Sequence, residues 1–244
     1  MKEETITRDF IRVDFMRGKK YIISYGAGVD STAMIFLLLQ DKKPIDYVVF
    51  ADVGAELPET YETVKLMKEF LEKQAVPFVT VYPAKYRTLQ QRCEDRKVIP
   101  DRIRRWCTRD VKITPIFKFY RSLDADIIQY IGIDAGEPKR MRPDPENYIH
   151  NAYPLVSSGI DRSGCIEIIN NAKFPVPVKS GCYFCIYNNV ERLFSIWKNN
   201  NDLFKQAIIF EESNKHFPRQ TLHPKITLRE MEGFFIKGKM PVFN

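Results

Sequence analysis

Two groups of residues in this chain of 244 residues have the types and spacing to do chemistry. Cys182 and Cys185, in the run Ser180-Gly181-Cys182-Tyr183-Phe184-Cys185, are paired thiols in a glycine-flanked turn. That spacing is a common half-site for zinc or an iron–sulfur cluster, because a short turn lets both thiolates face one ion. The second group is Ser24-Tyr25-Gly26-Ala27-Gly28-Val29-Asp30-Ser31-Thr32, in which small residues precede Asp, Ser and Thr at the start of an apolar run. Glycines there permit a tight turn and close backbone approach. A helix beginning at Val29 or Asp30 would offer unpaired N–H groups and the positive end of its dipole to an anion, with the hydroxyls of Ser31 and Thr32 as added donors. An ordinary strand-to-helix turn capped by Asp30 or Ser31 is the other reading. The Lys-Ser or Lys-Thr pair of a Walker A loop is missing.

The elements that must position these residues read as α/β. Tyr21 to Tyr25 suits a buried parallel strand, Ala33 to Leu39 its helix, and Tyr47 to Ala51 the next strand. A helix of 3.6 period follows from Glu59 to Gln74, then short strands at Phe78 to Tyr82 and Asp126 to Ile133. Such alternation predicts a doubly wound parallel sheet. The carboxylates of Asp52-Val53-Gly54-Ala55-Glu56 then fall on its ligand edge. From Asn151 the texture changes: a helix around Asp161 to Asn171, the cysteine turn, and a mainly helical remainder. The expected division is residues 1–155 as the α/β domain carrying the glycine loop and 156–244 as a helical region carrying the cysteine turn.

Hydrophobic residues make up 44% of the chain, enough for a sizeable core, and no run of about 18 apolar residues suggests a membrane span. With no apolar signal at Met1 to Thr5, the expected setting is cytoplasmic and away from membranes, so the five cysteines read as ligands or free thiols. The net charge of +7 is concentrated: residues 87–121 hold eleven Lys or Arg against four Asp or Glu, an excess equal to that of the whole chain. A block of this kind, with Arg104, Arg105 and Arg109 at its centre, suits a polyanion, either nucleic acid or a nucleotide. A solvated basic face is the alternative. Thr108 is expected to cap a helix running to about Tyr120, which would leave Cys107 at a helix start where a thiolate is stabilised.

The residues Gly26 to Ser31 resemble the Ser-Gly-Gly-x-Asp-Ser pyrophosphate loop (PP-loop) of the N-type ATP pyrophosphatases and the PAPS reductase family, although the first Ser and first Gly are replaced by Gly26 and Ala27. Three further stretches follow in order. Asp52 to Thr60 resembles the Asp-x-Gly-x-Glu-x-Pro-Glu-Thr run after the second strand of PAPS reductase relatives. Cys107-Thr108 to Pro115 is similar to the Cys-Thr-x-x-x-Lys-Ile-x-Pro stretch of the DNA phosphorothioation member and phage relatives, and Gly132 to Arg140 to the family's Gly-x-x-x-x-Glu-x-x-Arg segment.

The resemblance implies the adenine nucleotide α-hydrolase (HUP) fold and attack on the α-phosphate of ATP, giving an adenylated acceptor and pyrophosphate before sulfur transfer. It implies ATP with Mg2+ as cofactors. Asp30, Ser31, Lys112 and Arg140 become candidate catalytic residues. Ser24, Gly26, Ala27, Gly28, Val29, Thr32, Asp52, Gly54, Glu56, Gly132 and Glu137 become nucleotide contacts. Cys107 lies 75 residues before Cys182, a separation like that between the cysteine motifs of cluster-bearing APS reductases, and Trp106 of this chain stands where the first of their two paired cysteines would be, which leaves one ligand there instead of two. Cys107, Cys182 and Cys185, with a fourth position open or filled by Cys165, are thus the expected metal centre, an iron–sulfur cluster or alternatively Zn2+. Partners implied are a nucleic acid acceptor, tRNA or DNA, with a sulfur-donor protein and a homodimer also open.

Two other functions are carried. A PAPS or APS reductase of the same fold needs a thiol in a C-terminal Glu-Cys-Gly-x-His stretch, and no cysteine follows Cys185 in the sequence. A non-catalytic nucleotide or nucleic-acid binding module is the third reading, which the altered loop at Gly26 and Ala27 leaves open.

Overall fold

The computed structural model describes residues 18–83, 85, 88–103, 105–213 and 221–243. Arg104 and His216 lie outside the described residues, as does Phe10 to Phe15, a short run in which apolar and polar residues alternate. Five parallel strands run in the order β3-β2-β1-β4-β5. They are β1 (Lys19–Tyr25), β2 (Tyr47–Ala51), β3 (Phe78–Val81), β4 (Asp126–Ile131) and β5 (Ile149–Ala152). In β1, Ile22 and Ile23 point to opposite faces and both are fully buried, as are Val48 and Val49 in β2. Helices therefore cover both faces, which is why these strands read as continuous apolar runs rather than alternating ones. β1 pairs on one edge with β2 (Ser24 opposite Val49) and on the other with β4 (Ser24 opposite Ile131). The chain order reverses between β1 and β4, so the ligand crevice is expected at their carboxyl ends.

β5 was not expected from the sequence. Its residues Ile149-His150-Asn151-Ala152 lack an apolar run, because it is an edge strand whose only neighbour among the described residues is β4. His150 Nδ1 sits 3.1 Å from Asp144 Oδ2 on an exposed turn, and no role follows from it.

On one face, α1 (Val29–Gln40) and α2 (Pro58–Lys73) pack with the sheet around Met34, Ile35, Met67 and Leu71. Beyond residue 155, α7 (Arg162–Asn171), capped by Asp161 Oδ1 accepting from Gly164 N–H at 2.9 Å, joins this same core through Cys165 and Ile169. The short α6 (Pro154–Ser157) adds Leu155. On the other face Ile116 and Tyr120 of α5 (Thr114–Arg121) cover Ile22 and Ile127.

A third cluster gathers α3 (Leu89–Arg96), α8 (Val190–Asn199), α9 (Asn201–Ser213) and α10 (Leu228–Ile236) around Phe184, Phe204 and Phe235. Phe194 and Trp197 pack on Phe235, so these aromatics are core, as their helical spacing suggests. Val53, Ala55 and Leu57, which follow β2, belong to this cluster too. The helical region thereby sits over the carboxyl edge of the sheet and carries the cysteine turn to it.

The basic segment is helical but built differently from expectation. Its first turn, α4 (Trp106–Thr108), starts one residue after Arg105, which has φ 45°. It passes through a π-helical turn at Arg109–Ile113 into α5. Thr108 is itself helical, with φ −63° and ψ −47°, and caps nothing, because the Arg105 turn already bends the chain into the helix. The π turn adds a residue per turn and so sets the facing of Val111 and Lys112 independently of the straight helix after it.

Candidate active site

The pyrophosphate-like loop leaves β1 at Gly26 and enters α1 at Val29. Ser31 Oγ closes it from inside: it accepts from Gly26 N–H at 3.3 Å and donates to the Gly28 carbonyl at 3.2 Å. Ala27, the position that is glycine in the resembling pattern, is fully buried with φ 53°. A left-handed turn favours glycine there, and Ala adopts it against a steric cost of about 1–2 kcal/mol. Thr32 does not face the loop's concave side. It is fully buried, its Oγ1 3.3 Å from Tyr25 OH.

A cavity of about 320 Å3 opens at the loop. Ser24, Gly26, Gly28, Val29, Asp30, Ser31, Gly132 and Arg140 line it, together with Ile131, Arg162, Lys179 and Ser180. α1 presents first-turn N–H groups that have no intrahelical acceptor, as an anion site requires. Asp30 Oδ1 is 2.6 Å from Arg162 Nη1. Burial raises the Asp30 carboxyl above the usual carboxylate range, with Arg162 opposing and Asp134 and Glu137 adding to the rise. One oxygen each of Asp30, Asp134 and Glu137 lie within 4.8 Å of one another, a hard-oxygen set of the kind Mg2+ takes. Asp134 was not singled out in the sequence, although it lies just past the end of β4 on the ligand edge. Glu137 is also ion-paired to Arg140.

Asp52 and Gly54 stand elsewhere. Asp52 Oδ1 accepts from Gly54 N–H at 2.8 Å and from Tyr61 OH at 2.9 Å, fixing a turn. Gly54 has φ 65°, and a Cβ on it would lie 2.2 Å from Thr88 Cγ2. Neither lines the cavity at the loop. Their turn instead carries Ala55 and Glu56 to the cysteines: Tyr183 N–H donates to the Ala55 carbonyl at 3.1 Å, and Glu56 pairs with Cys182 in an antiparallel bridge.

Cys107, Cys182 and Cys185 line a second cavity of about 370 Å3. Its floor includes Val53, Leu89, Val111 and Phe184, and Arg105, Lys112 and Tyr187 lie on its wall. Lys112 Nζ donates to Glu56 Oε1 at 2.9 Å, while the buried Glu56 Oε2 has no hydrogen-bond partner among the described residues. Burial alone would lower Lys112, but Glu56 and the thiols of Cys182 and Cys185 hold it raised. Burial and then Glu56 push Cys182 well above an ordinary thiol, against Lys112. Cys107 is raised as well, by burial and by Cys185, so the expected thiolate stabilisation is outweighed by desolvation.

The donor chemistry fits a metal centre. The three thiols line one cavity, and thiolates are ligands that both zinc and an iron–sulfur cluster take. Cys165 is not brought to this centre. It is fully buried on α7, and burial with the nearby Asp30 and Asp134 pushes its thiol up to about 12. Cys93, by contrast, is buried close to Cys107 and is likewise pushed up to about 12, first by burial.

Much of the basic block is internally paired. Arg92 meets Asp110 Oδ2 at 2.6 Å and lies over Trp106, 4.3 Å from the ring centre. Arg109 pairs with Asp110 at 2.7 Å. Arg105 and Arg102 flank the exposed ring of Tyr187, at 5.6 and 5.4 Å from its centre. No helix among the described residues is long and apolar enough to cross a membrane.

The phosphoadenosine phosphosulfate reductase domain family matches residues 20–142. Among solved structures, the fold is similar to phosphoadenylyl-sulfate reductase from Candida auris in a phosphate complex. That match has a TM-score of 0.51 and 14% identity, over 68% of this chain and 78% of that one. It is similar also to the U34-tRNA thiolase NcsA from Methanococcus maripaludis with its [4Fe-4S] cluster, at TM-score 0.51 and 14% identity, covering 86% of this chain and 76% of that one. No curated protein matches it. The parallel sheet, the loop between β1 and α1 and the family match over residues 20–142 agree, and the chain belongs to the phosphoadenosine phosphosulfate reductase domain family.

Proposed function

We propose that this protein cleaves ATP between its α- and β-phosphates, joins AMP to a nucleic acid acceptor, and lets a sulfur nucleophile replace the AMP. One observation carries the reading: Arg140, Lys179 and Ser180 line both the phosphate cavity and the three-cysteine cavity. A nucleotide in the first would place its reacting phosphate beside whatever the second holds. In the first step an acceptor oxygen attacks the α-phosphorus, the bond to the bridging oxygen breaks and pyrophosphate leaves. In the second, hydrosulfide attacks the activated acceptor atom, its bond to oxygen breaks, and AMP leaves with the electron pair.

The first turn of α1 and Ser31 hold the pyrophosphate portion, and Arg140 balances charge that develops on the departing oxygen. Asp30, Asp134 and Glu137 would hold the Mg2+ that accompanies the phosphates. Lys112, beside the thiols, favours an anionic sulfur. An iron–sulfur cluster held by Cys107, Cys182 and Cys185 would supply a Lewis-acidic site for sulfide. The NcsA thiolase is a U34-tRNA enzyme with a [4Fe-4S] cluster, which supports both the cluster and a nucleic acid acceptor for this fold. Arg105 and Tyr187 at the cysteine cavity offer such an acceptor a charge and a stacking face.

The test is pyrophosphate release from ATP by anaerobically purified protein with tRNA or DNA. Release that requires nucleic acid and disappears in Asp30→Ala supports the reading. Reduction of a nucleotide sulfate without pyrophosphate release replaces it with the reductase chemistry.

A further inference from the structure

We infer that Lys179 and Ser180, delivered by the cysteine-bearing turn, are phosphate ligands that complete the nucleotide site. The inference rests on the nucleotide reading of the phosphate cavity and names two residues that the loop motif does not contain. Among the described residues, three cationic side chains line that cavity: Arg140, Arg162 and Lys179. Arg140 is paired with Glu137, and Arg162 with Asp30. Lys179 has no carboxylate partner among the described residues, so its charge is the one available to an incoming anion without breaking an ion pair. Ser180 lies directly on the loop: a Cβ placed on Gly28 would come within 3.2 Å of its Oγ. Its hydroxyl thus reaches the space where phosphate oxygens would meet the start of α1.

The backbone holds the pair in place from both sides. Arg192 donates to the Lys179 carbonyl. Two residues past Ser180, Cys182 is bridged to Glu56 and Tyr183 N–H to the Ala55 carbonyl. Pro175 and Pro177 precede it, and their fixed φ reduces the entropy lost in keeping the strap extended. One short strap therefore contributes to two cavities, with Lys179 and Ser180 on their shared wall and Cys182 and Cys185 in the second.

The experiment measures equilibrium binding of inorganic pyrophosphate, ATP–Mg2+ and adenosine to wild type, Lys179→Ala, Lys179→Arg and Ser180→Ala. Lys179 is exposed, and thermal unfolding of each variant checks that the fold is kept. Lys179→Ala should weaken pyrophosphate and ATP roughly ten- to a hundredfold, the loss of a charge-assisted contact, and leave adenosine unchanged. Ser180→Ala should weaken the same two ligands by about threefold to tenfold. Lys179→Arg should restore most of the affinity. Unchanged pyrophosphate binding in Lys179→Ala, or equal losses for adenosine and pyrophosphate, overturns the inference. Catalytic pyrophosphate release by the wild type is a separate readout: its absence sinks the proposed reaction while leaving these binding results to decide the ligand roles.

Discussion

Gly132, just past β4, lies so close to Ser31 at the start of α1 that a Cβ on it would stand 2.7 Å from both Ser31 Cα and Ser31 N. Backbone, not a flexible side chain, fills the space, so relief requires α1 to move away from the sheet. Gly132→Ala is expected to destabilise the protein by about 1–3 kcal/mol and to weaken ATP by at least tenfold, because the displaced helix start is the anion site. Denaturant unfolding and ATP titration on the same variant check both effects. Gly238→Ala, at φ 65° with nothing within 4 Å of its Cβ, should affect stability alone.

The Glu56–Lys112 pair makes a second prediction. Glu56 is 5% exposed, and one of its oxygens already lacks a hydrogen-bond partner among the described residues. Lys112→Met leaves a buried carboxylate uncompensated and should cost about 2–3 kcal/mol, less than a fully buried pair because the lysine side chain is 40% exposed. Adding Glu56→Gln should recover at least half of the loss. A double variant no more stable than Lys112→Met, measured by urea unfolding, shows that packing rather than charge holds this corner.

Cys165 gives a pH prediction. Its thiol is pushed up to about 12 from an ordinary 9.0, first by burial. As pH rises past 9, the unfolded chain loses this proton before the folded one does, so the folded state binds more protons and stability falls between about pH 9 and 12. The slope from this single group approaches roughly 1.4 kcal/mol per pH unit. Cys165→Ala should be less stable at pH 7 but show a flatter decline above pH 9. An identical slope in wild type and variant would falsify the assignment.

Nucleic acid binding should depend on Tyr187 and Arg105 differently. Tyr187→Ala is expected to weaken single-stranded oligonucleotides by about 1–3 kcal/mol with little change in the salt slope, since it removes a stacking face. Arg105→Ala should make that slope shallower by about 0.7, the signature of one lost phosphate contact. Titrations at several salt concentrations separate the two, and equal effects on duplex and single strand remove the case for stacking.

Much was legible in the sequence because it is carried by local runs. The strands Tyr47–Ala51 and Phe78–Val81, the helix at Pro58–Lys73 and the loop between β1 and α1 are contiguous patterns of burial and turn residues. β5 has no such pattern, since an edge strand with one neighbour among the described residues needs no apolar run. Thr108 was misread as a cap because hydroxyl identity is local, whereas the Arg105 turn that starts the helix is a backbone conformation no side chain announces.

What the sequence determined alone is the fold class and the set of residues able to bind an anion or a soft metal. What only the tertiary structure decided is which of them share a space. It sent Cys165 to the α1–α7 core and gathered Cys107, Cys182 and Cys185 round one cavity. It set Asp134 beside Asp30, drew Arg162 across 132 positions onto Asp30, and laid Lys179 and Ser180 against the loop. The physical reason is that charge pairing and desolvation act through distances of a few ångströms, and those distances are fixed by packing between segments far apart in the chain.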